Sequence, residues 1–453
     1  MGVDRGAAAA RAEGLATELS ERGVQAVALT WVDNAGVTRV KTVPTARLRH
    51  AAEQGIGMSP VFDVFLADDA TTTSRYIGGP VGDLRLYPDL ERLTVLAGQP
   101  GWAWAPVDRL TQHDQPHPAC QRTFARRMVR HAAEAGLDFR MAFEIEWFVG
   151  IDDGDGLTPG CTGPAYGMTR VVELSDYVRN LLRALHEQAV PVDQFHPEYA
   201  SGQLELSVAA ADPVAAADRL VLVRQTIRAV SLRHGLRASF APVVVAGSVG
   251  NGGHVHASAW AQRRNLFAGG DGPYGMTGHG ESVLAGLLER LPALCAIGAP
   301  SVASYLRLVP QHWAAPWQCW GLENREAALR FVAGGAGYEP IAANAELKCF
   351  DGSANPYLLA GAIVAVASST VDDGLRLPPE VTVDPAALPA AEQPPRLPTS
   401  LGAAVDALER DELLRGALGE PLVEAIIAVR RAEIEAFAQA SDEDIAAAIR
   451  WTH

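Results

Sequence analysis

Apolar positions recur along the chain with two periods, and the switches between them outline its elements. Residues 7–22 carry an amphipathic helical pattern, and Val24 to Val43 reads as two strands around a turn at Asp33-Asn34-Ala35-Gly36. Gly98 to Pro118, rich in Pro, Gly and Trp, predicts a boundary and so a division into residues 1–112 and 113–453. Arg122 to Ala135 predicts a helix with Phe124, Met128 and Ala132 on one face and Gly136 as its stop. Strands follow at Phe143 to Val149, Gln203 to Val208 and Ser239 to Ala246. Between them lie a helix from about Ser175, carrying Leu181, Leu182 and Leu185, and a long one from Val214 to Gly235. Val371 to Ser400 contains seven prolines and reads as a surface loop, and Ser400 caps a helical tail reaching Arg450. The pattern is α+β: a small N-terminal β domain, then a large mixed domain.

Composition narrows the function. The 453 residues hold 38 Lys+Arg against 53 Asp+Glu, a formal net charge of −15, which argues against nucleic acid or an anionic membrane as partner. The five cysteines form no C-x-x-C pair, so a zinc ribbon and a redox dithiol are excluded, and buried thiols in a reducing cytoplasm are expected. The N-terminal segment lacks the apolar core of a signal peptide, and the longest apolar stretch, Leu358 to Val371, is too short to span a bilayer. A cytoplasmic protein is the expectation. Arginine so outnumbers lysine that Lys41 and Lys348 are the two lysines of the chain.

Four segments of the large domain concentrate chemistry. Glu144 and Glu146 alternate with Phe143, Ile145 and Trp147, which on a strand aims both carboxylates to one side. His196-Pro197-Glu198-Tyr199-Ala200-Ser201-Gly202-Gln203-Leu204-Glu205 joins two more glutamates through a turn into an apolar strand. Gly250-Asn251-Gly252-Gly253-His254-Val255-His256-Ala257-Ser258 offers close backbone approach and two imidazoles on one face. Glu346 and Lys348 share a face in Asn344-Ala345-Glu346-Leu347-Lys348. Taken singly, each fits a solvated strand face or a satisfied core histidine. Together, five carboxylates and an imidazole demand cations, because they would otherwise raise one another's pKa. Oxygen-rich donors with one imidazole suit Mg²⁺ or Mn²⁺, and two such ions commonly serve phosphoryl transfer. Arg307 lies within an apolar run, Arg325 and Arg330 follow, and no P-loop motif is present.

In the order and spacing of these motifs the chain resembles the glutamine synthetases over nearly its whole length. Asp33, Gly36, Arg39 and Lys41 match the family's D-x-x-G-x-x-R-x-K pattern. The resemblance implies an N-terminal β-grasp domain and a catalytic domain of antiparallel strands with surrounding helices. It implies one metal site at Glu146, Glu198 and Glu205 and a second at Glu144, His254 and Glu346. It also implies glutamate contacts at Arg307 and Gly250, ATP contacts at His256 and Ser258, and phosphate-facing arginines at Arg325 and Arg330. A homo-oligomer, a dodecamer in this family, comes with it, each site completed by a neighbour's N-terminal domain.

Three positions depart from the family. Trp313 stands where the flap carries a glutamate, Ser59 where the neighbour's aspartate is expected, and Lys348 where an arginine is usual. Neither Trp313 nor Ser59 supplies negative charge for ammonium. The expected reaction is therefore ATP-dependent ligation of glutamate's γ-carboxylate, by way of an acyl phosphate, to an organic primary amine. Ethanolamine, a short monoamine and a polyamine are the candidates. Glutamine synthetase itself, using ammonia, is the alternative, and a catalytically silent relative the alternative of another class. Trp317 and Trp320 are expected to help Trp313 pack the amine, and Asp63, Asp68 and Asp69 to lie in a surface loop.

Overall fold

The structure, a computed structural model, describes residues 4–152, 154 and 156–453. An N-terminal sheet contains β1 (Ala26–Val32), β2 (Thr38–Pro44), β3 (Ile56–Met58), β4 (Leu84–Pro88), β5 (Thr94–Val95) and β6 (Trp102–Leu110). Its order is β2-β1-β6-β4-β3, with β5 also on β6. The helix Arg5–Glu21 lies over it, burying Ala12 and Leu19 in a core with Val27, Leu29, Leu48 and Leu86. The segment expected to be a boundary thus contributes the sheet's central strand. Ala103, Trp104, Ala105 and Val107 are all buried, so β6 shows no alternation to set it apart from its Pro- and Gly-rich flanks.

Asp63 corrects the surface-loop expectation. Its carboxylate is fully buried and takes Arg109 Nη1 at 2.7 and 2.9 Å, while Arg109 Nη2 donates to Ala119 O and Gln121 Oε1, both at 2.6 Å. Asp68 and Asp69 are exposed, as expected. The β1–β2 turn docks on the segment after Lys348: Asn355 Nδ2 donates to Val32 O and Asp33 O, each at 3.0 Å. Gly36, at φ 80°, packs so closely that a Cβ would lie 1.9 Å from Ser353 O.

β7 (Leu137–Phe143) and β8 (Ile145–Asp152) are separated by Glu144 alone, yet they enter different sheets. β8 joins β9 (Leu157–Pro159), β10 (Val192–Pro197), β11 (Gln203–Val208) and β12 (Arg237–Ser239) in the order β10-β11-β8-β12, with β9 also on β8. β7 pairs with β13 (Val255–Ala261). That sheet also takes β14 (Arg264–Asn265), β15 (Trp317–Leu322), β16 (Ala327–Val332) and β17 (Asn344–Leu347), in the order β14-β13-β17-β16-β15. The expected strand Phe143–Val149 is therefore broken at Glu144. The expected strand Ser239–Ala246 ends at Ser239. Beyond it Ala241 O and Pro242 O accept from Asn251, so this backbone pairs with the glycine-rich loop instead of a sheet.

The helices Gln121–Glu134, Pro213–Arg233, Gly278–Gly298 and Pro356–Thr370 pack behind these sheets. Pro356–Thr370, apolar on every side, is a buried core helix, and among the described residues no helix is long and apolar enough to cross a membrane. Ser400 caps Leu401–Arg410 by accepting from Ala403 N–H at 3.2 Å. The tail beyond divides into Glu412–Leu418, Glu420–Ala436 and Asp442–Ile449.

Candidate active site

Cross-strand register converts four dispersed motifs into one cluster. Glu205 on β11 sits opposite Glu146 on β8 and, on its other side, opposite His196 on β10. Glu346 on β17 sits opposite His256 on β13 and opposite Arg330 on β16. Glu144, at the break between the two sheets, donates its N–H to His254 O at 3.0 Å and joins the halves. The result is a cleft of about 820 Å³ lined by Glu144, Glu146, Glu198, Glu205, His254, Gly250, Arg307, Trp313, Arg325, Arg330 and Lys348.

Each carboxylate is fixed by named donors. Glu146 Oε2 accepts from Gln203 Nε2 at 3.0 Å and from Gly252 N–H at 2.8 Å. A Cβ on Gly252 would stand 2.6 Å from Glu146 Oε1 and 2.5 Å from His254 Nε2, so a side chain here would displace both groups. His254 Nδ1 lies 2.8 Å from Glu144 Oε2 and 3.2 Å from Glu346 Oε1. His256 Nε2 lies 3.1 Å from Glu144 Oε1, with its Nδ1 2.8 Å from Asn344 Oδ1. Lys348, 3% exposed, reaches Glu346 Oε1 at 3.0 Å, and Arg330 Nη1 reaches its Oε2 at 2.8 Å. Arg307, 4% exposed, donates to Phe350 O at 3.2 Å and Lys348 O at 3.3 Å, and its Nη2 lies 3.2 Å from His254 Nε2.

Titration differs between the two halves of the cluster. Burial opposes ionisation of Glu144, but its bonds with His254 and His256 outweigh that and hold its carboxyl well below the usual range. Burial likewise opposes protonation of His256, yet Glu144 raises it to about 9. On the other side, burial and then the nearby carboxylates Glu144, Glu146 and Glu198 push Glu205 up to about 7. Glu198 is raised by burial and by Glu146. His196, bonded to Glu205, rises to about 9. Carboxylates crowded enough to resist ionisation are suited to a divalent cation, which removes their mutual repulsion. Ligand atoms of Glu144, His256 and Glu346 lie within 4.8 Å of one another, as do those of His196, Glu198 and Glu205. Oxygen donors with an imidazole in each group fit the expected Mg²⁺ or Mn²⁺. The first group thus holds His256 where His254 was expected, and the second holds His196 where Glu146 was expected.

Three residues expected at the cleft, Ser258, Trp317 and Trp320, fall elsewhere. Ser258 accepts from Trp260 Nε1 at 2.8 Å and is buried away from the cleft lining. Ser59 caps the short helix Pro60–Val64, and it does not line the cleft of its own chain. Trp317 packs against Arg396, with the ring centroid 4.9 Å from the guanidinium, and Trp320 donates to Pro378 O at 2.7 Å; both are buried outside the cleft. Trp313 does stand at the cleft. It is 51% exposed and meets Tyr199 edge to face, with centroids 6.2 Å apart.

The sequence reading missed Tyr166, Gln194, Tyr199 and Gln203 as lining residues. Tyr199 and Gln203 lie between the two glutamates of the His196–Glu205 motif, where neither residue type by itself signals a role. Tyr166, whose hydroxyl donates to Glu198 Oε2 at 2.8 Å, belongs to a Gly- and Pro-rich segment without periodicity and gave no signal.

Residues 118–447 match the family described as glutamine synthetase, catalytic domain. The gamma-glutamylpolyamine synthetase GlnA3 of Streptomyces coelicolor is 55% identical over 450 residues, covering 98% of this chain and 97% of its own. The gamma-glutamylanilide synthase of an Acinetobacter species is 27% identical over 476 residues, covering 96% and 92%. Among solved structures, a novel glutamine synthase homolog superposes with a TM-score of 0.84 at 32% identity, covering 94% of this chain and 97% of the other. A GmaS complex with ADP superposes with 0.83 at 28% identity and the same coverage. With a matched catalytic domain, the same α+β fold and 55% identity across nearly the full length of a relative, this chain belongs to the glutamine synthetase family.

Proposed function

We propose that the protein joins the γ-carboxylate of glutamate to an organic primary amine, cleaving ATP to ADP through a γ-glutamyl phosphate, and that polyamines are its favoured amines. The observation that carries this reading is the Trp313–Tyr199 pair at the cleft. The flap position that in ammonia-using relatives holds a glutamate here offers an indole edge to face with a phenol. An aliphatic chain gains apolar contact there, and the aromatic faces attract an ammonium group with about 0.5–2 kcal/mol. The gamma-glutamylpolyamine synthetase, 55% identical, supports the same class.

Two divalent ions, Mg²⁺ or Mn²⁺, would be held by Glu146, Glu198 and Glu205 with His196 alongside, and by Glu144, His254 and Glu346. When bound they neutralise charge on the transferring phosphoryl group and the polyphosphate. The chain's own residues do the rest. Arg307, Gly250 and Lys348 orient the acid. Arg325, exposed on the cleft lining, and Arg330 face the phosphates, with His256 toward the nucleotide. Phosphorylation makes the carboxylate oxygen a leaving group, and an amine that has lost its proton attacks the carbonyl carbon.

The division at residues 112 and 113 belongs to this reading, supported by a sheet that ends at Leu110 and a family match that begins at 118. So do a cytoplasmic location, supported by five free, buried cysteines, and a homo-oligomer, a dodecamer by family resemblance. Ser59, off its own chain's cleft, fits a position that meets a neighbour's site.

The test is ADP release with ATP and glutamate against ammonium, ethanolamine, butylamine, putrescine and spermidine, with product masses measured. Putrescine or spermidine is expected to exceed ammonium in kcat/KM by roughly tenfold or more, the scale set by lost apolar contact. Ammonium ahead of every amine would overturn the reading. Light scattering on the same preparation is expected to report an oligomer, and an active monomer would refute the assembly.

A further inference from the structure

The segment that carries Trp313 follows an uncommon backbone path. Gln311, Trp313 and Ala315 have φ of 64°, 54° and 56°, so three side-chain-bearing residues out of five adopt the left-handed conformation. Such a path persists where its surroundings over-determine it. Its ends are held by Arg396, whose Nε donates to Pro316 O at 3.2 Å and whose Nη2 donates to Leu308 O at 3.3 Å. Its tip is held by Glu326, whose Oε1 accepts the Trp313 N–H at 2.8 Å, with the Gln311 amide adding a second favourable contact.

Glu326 is itself rigidly based. Its N–H donates to Asn324 Oδ1 at 3.1 Å, and Asn324 Nδ2 donates to Val381 O at 2.8 Å and Val383 O at 3.1 Å. The residue is 7% exposed, and its Oε2 is buried without a hydrogen-bond partner among the described residues. A carboxylate kept in so desolvated a place for a backbone amide is costly as mere filling. A fold needing only to fill the space behind the flap is served better by an apolar side chain. What the carboxylate supplies is a fixed acceptor for the backbone of the flap tip, above all for the Trp313 amide.

We propose that Glu326 is a positioning residue for the amine, acting through Trp313: its carboxylate locks the flap tip so that the indole stands opposite Tyr199. The proposal rests on the amine-ligase reading and adds to it the element that sets its aromatic contact. Glu326 is absent from the cleft lining, so its effect on the amine is transmitted by the flap backbone.

The experiment is a double-mutant cycle on the full chain with ATP, glutamate and putrescine, comparing wild type, Glu326→Ala, Trp313→Ala and the double variant. Glu326→Ala is expected to raise the KM for putrescine roughly tenfold or more, the scale of one hydrogen bond to a charged group, while the KM values for glutamate and ATP stay within about twofold. In the Trp313→Ala background the same substitution is expected to change the putrescine KM by less than about twofold, because the group it positions is gone. Glu326→Gln, which keeps an oxygen for the Trp313 amide, is expected to recover most of the loss. Should Glu326→Ala fail to fold, Glu326→Asp, one methylene shorter with the charge retained, runs the same cycle. Equal rises in all three KM values, full additivity in the double variant, or an unchanged putrescine KM overturns the positioning role. Wild-type enzyme without amine-dependent product overturns the amine reading and this proposal with it, whereas amine turnover indifferent to Glu326 overturns this proposal alone.

Discussion

Glu146→Ala is expected to lower turnover below detection while leaving the fold intact, as read by circular dichroism and thermal midpoint. Glu146 is the second residue of β8, opposite Glu205, with Oε2 held by Gln203 and by the Gly252 amide. Two neutral donors on one oxygen fix the carboxylate's orientation, and Oε1 lies 3.8 Å from His254 Nε2. Alanine removes a proposed direct metal donor and frees the Gln203 amide and the Gly252 N–H. Loss of an outer partner of a metal ligand already costs roughly 10–100-fold, and loss of a ligand exceeds that. Mn²⁺ titration followed by paramagnetic resonance supplies a readout apart from turnover: the variant is expected to bind fewer or weaker equivalents than wild type. Turnover retained within about tenfold, with unchanged Mn²⁺ binding, would remove Glu146 from the metal site.

The residues of this cluster were legible in the sequence because strand chemistry has a short period. Glu146 and Glu205 sit among apolar neighbours that are themselves buried, so the motif and the strand announce each other. Register was not legible: nothing local says that His196 faces Glu205, which is how its imidazole comes to stand with Glu198 and Glu205. Nor was the break at Glu144, since two strands in different sheets separated by one residue look like a single alternating strand. Sequence proximity misled at Trp317 and Trp320. They lie within a few residues of Trp313, but the left-handed turns at Trp313 and Ala315 redirect the chain, and both indoles end in packing outside the cleft. The contact that does meet Trp313, Tyr199, comes from 114 residues earlier. Asp63 shows the same limit from the polar side, because its partner Arg109 lies in the segment whose composition hid a central strand.

Trp313→Glu is expected to move the preference from organic amines toward ammonium by roughly 2- to 30-fold in the ratio of kcat/KM values. The substitution isolates the side chain. Glutamate, like tryptophan, is not β-branched, so the left-handed backbone at φ 54° is no more demanding of one than of the other. Removing the indole loses its attraction for the cation, about 0.5–2 kcal/mol, along with its edge-to-face contact with Tyr199 and the apolar surface offered to the amine's chain. Adding a carboxylate at a half-exposed position gains about 0.2–1 kcal/mol for a cation held beside it. Ammonium keeps the gain and, with no chain to pack, is spared the loss of apolar surface. An alkyl amine feels both. Each 1.4 kcal/mol is tenfold, which sets the range. A carboxylate there also offers a proton acceptor to an ammonium ion, which must be deprotonated before it attacks. Ser59→Asp tests the other half of the ammonium site without disturbing its local role, since aspartate caps a helix as serine does and the Val61 N–H keeps an acceptor. Because Ser59 lies off the cleft of its own chain, the double variant is expected to favour ammonium beyond Trp313→Glu only while the protein is assembled. Dilution below the association threshold is expected to erase that increment. An amine-to-ammonium ratio unchanged in Trp313→Glu would show that the indole packs the flap and selects nothing.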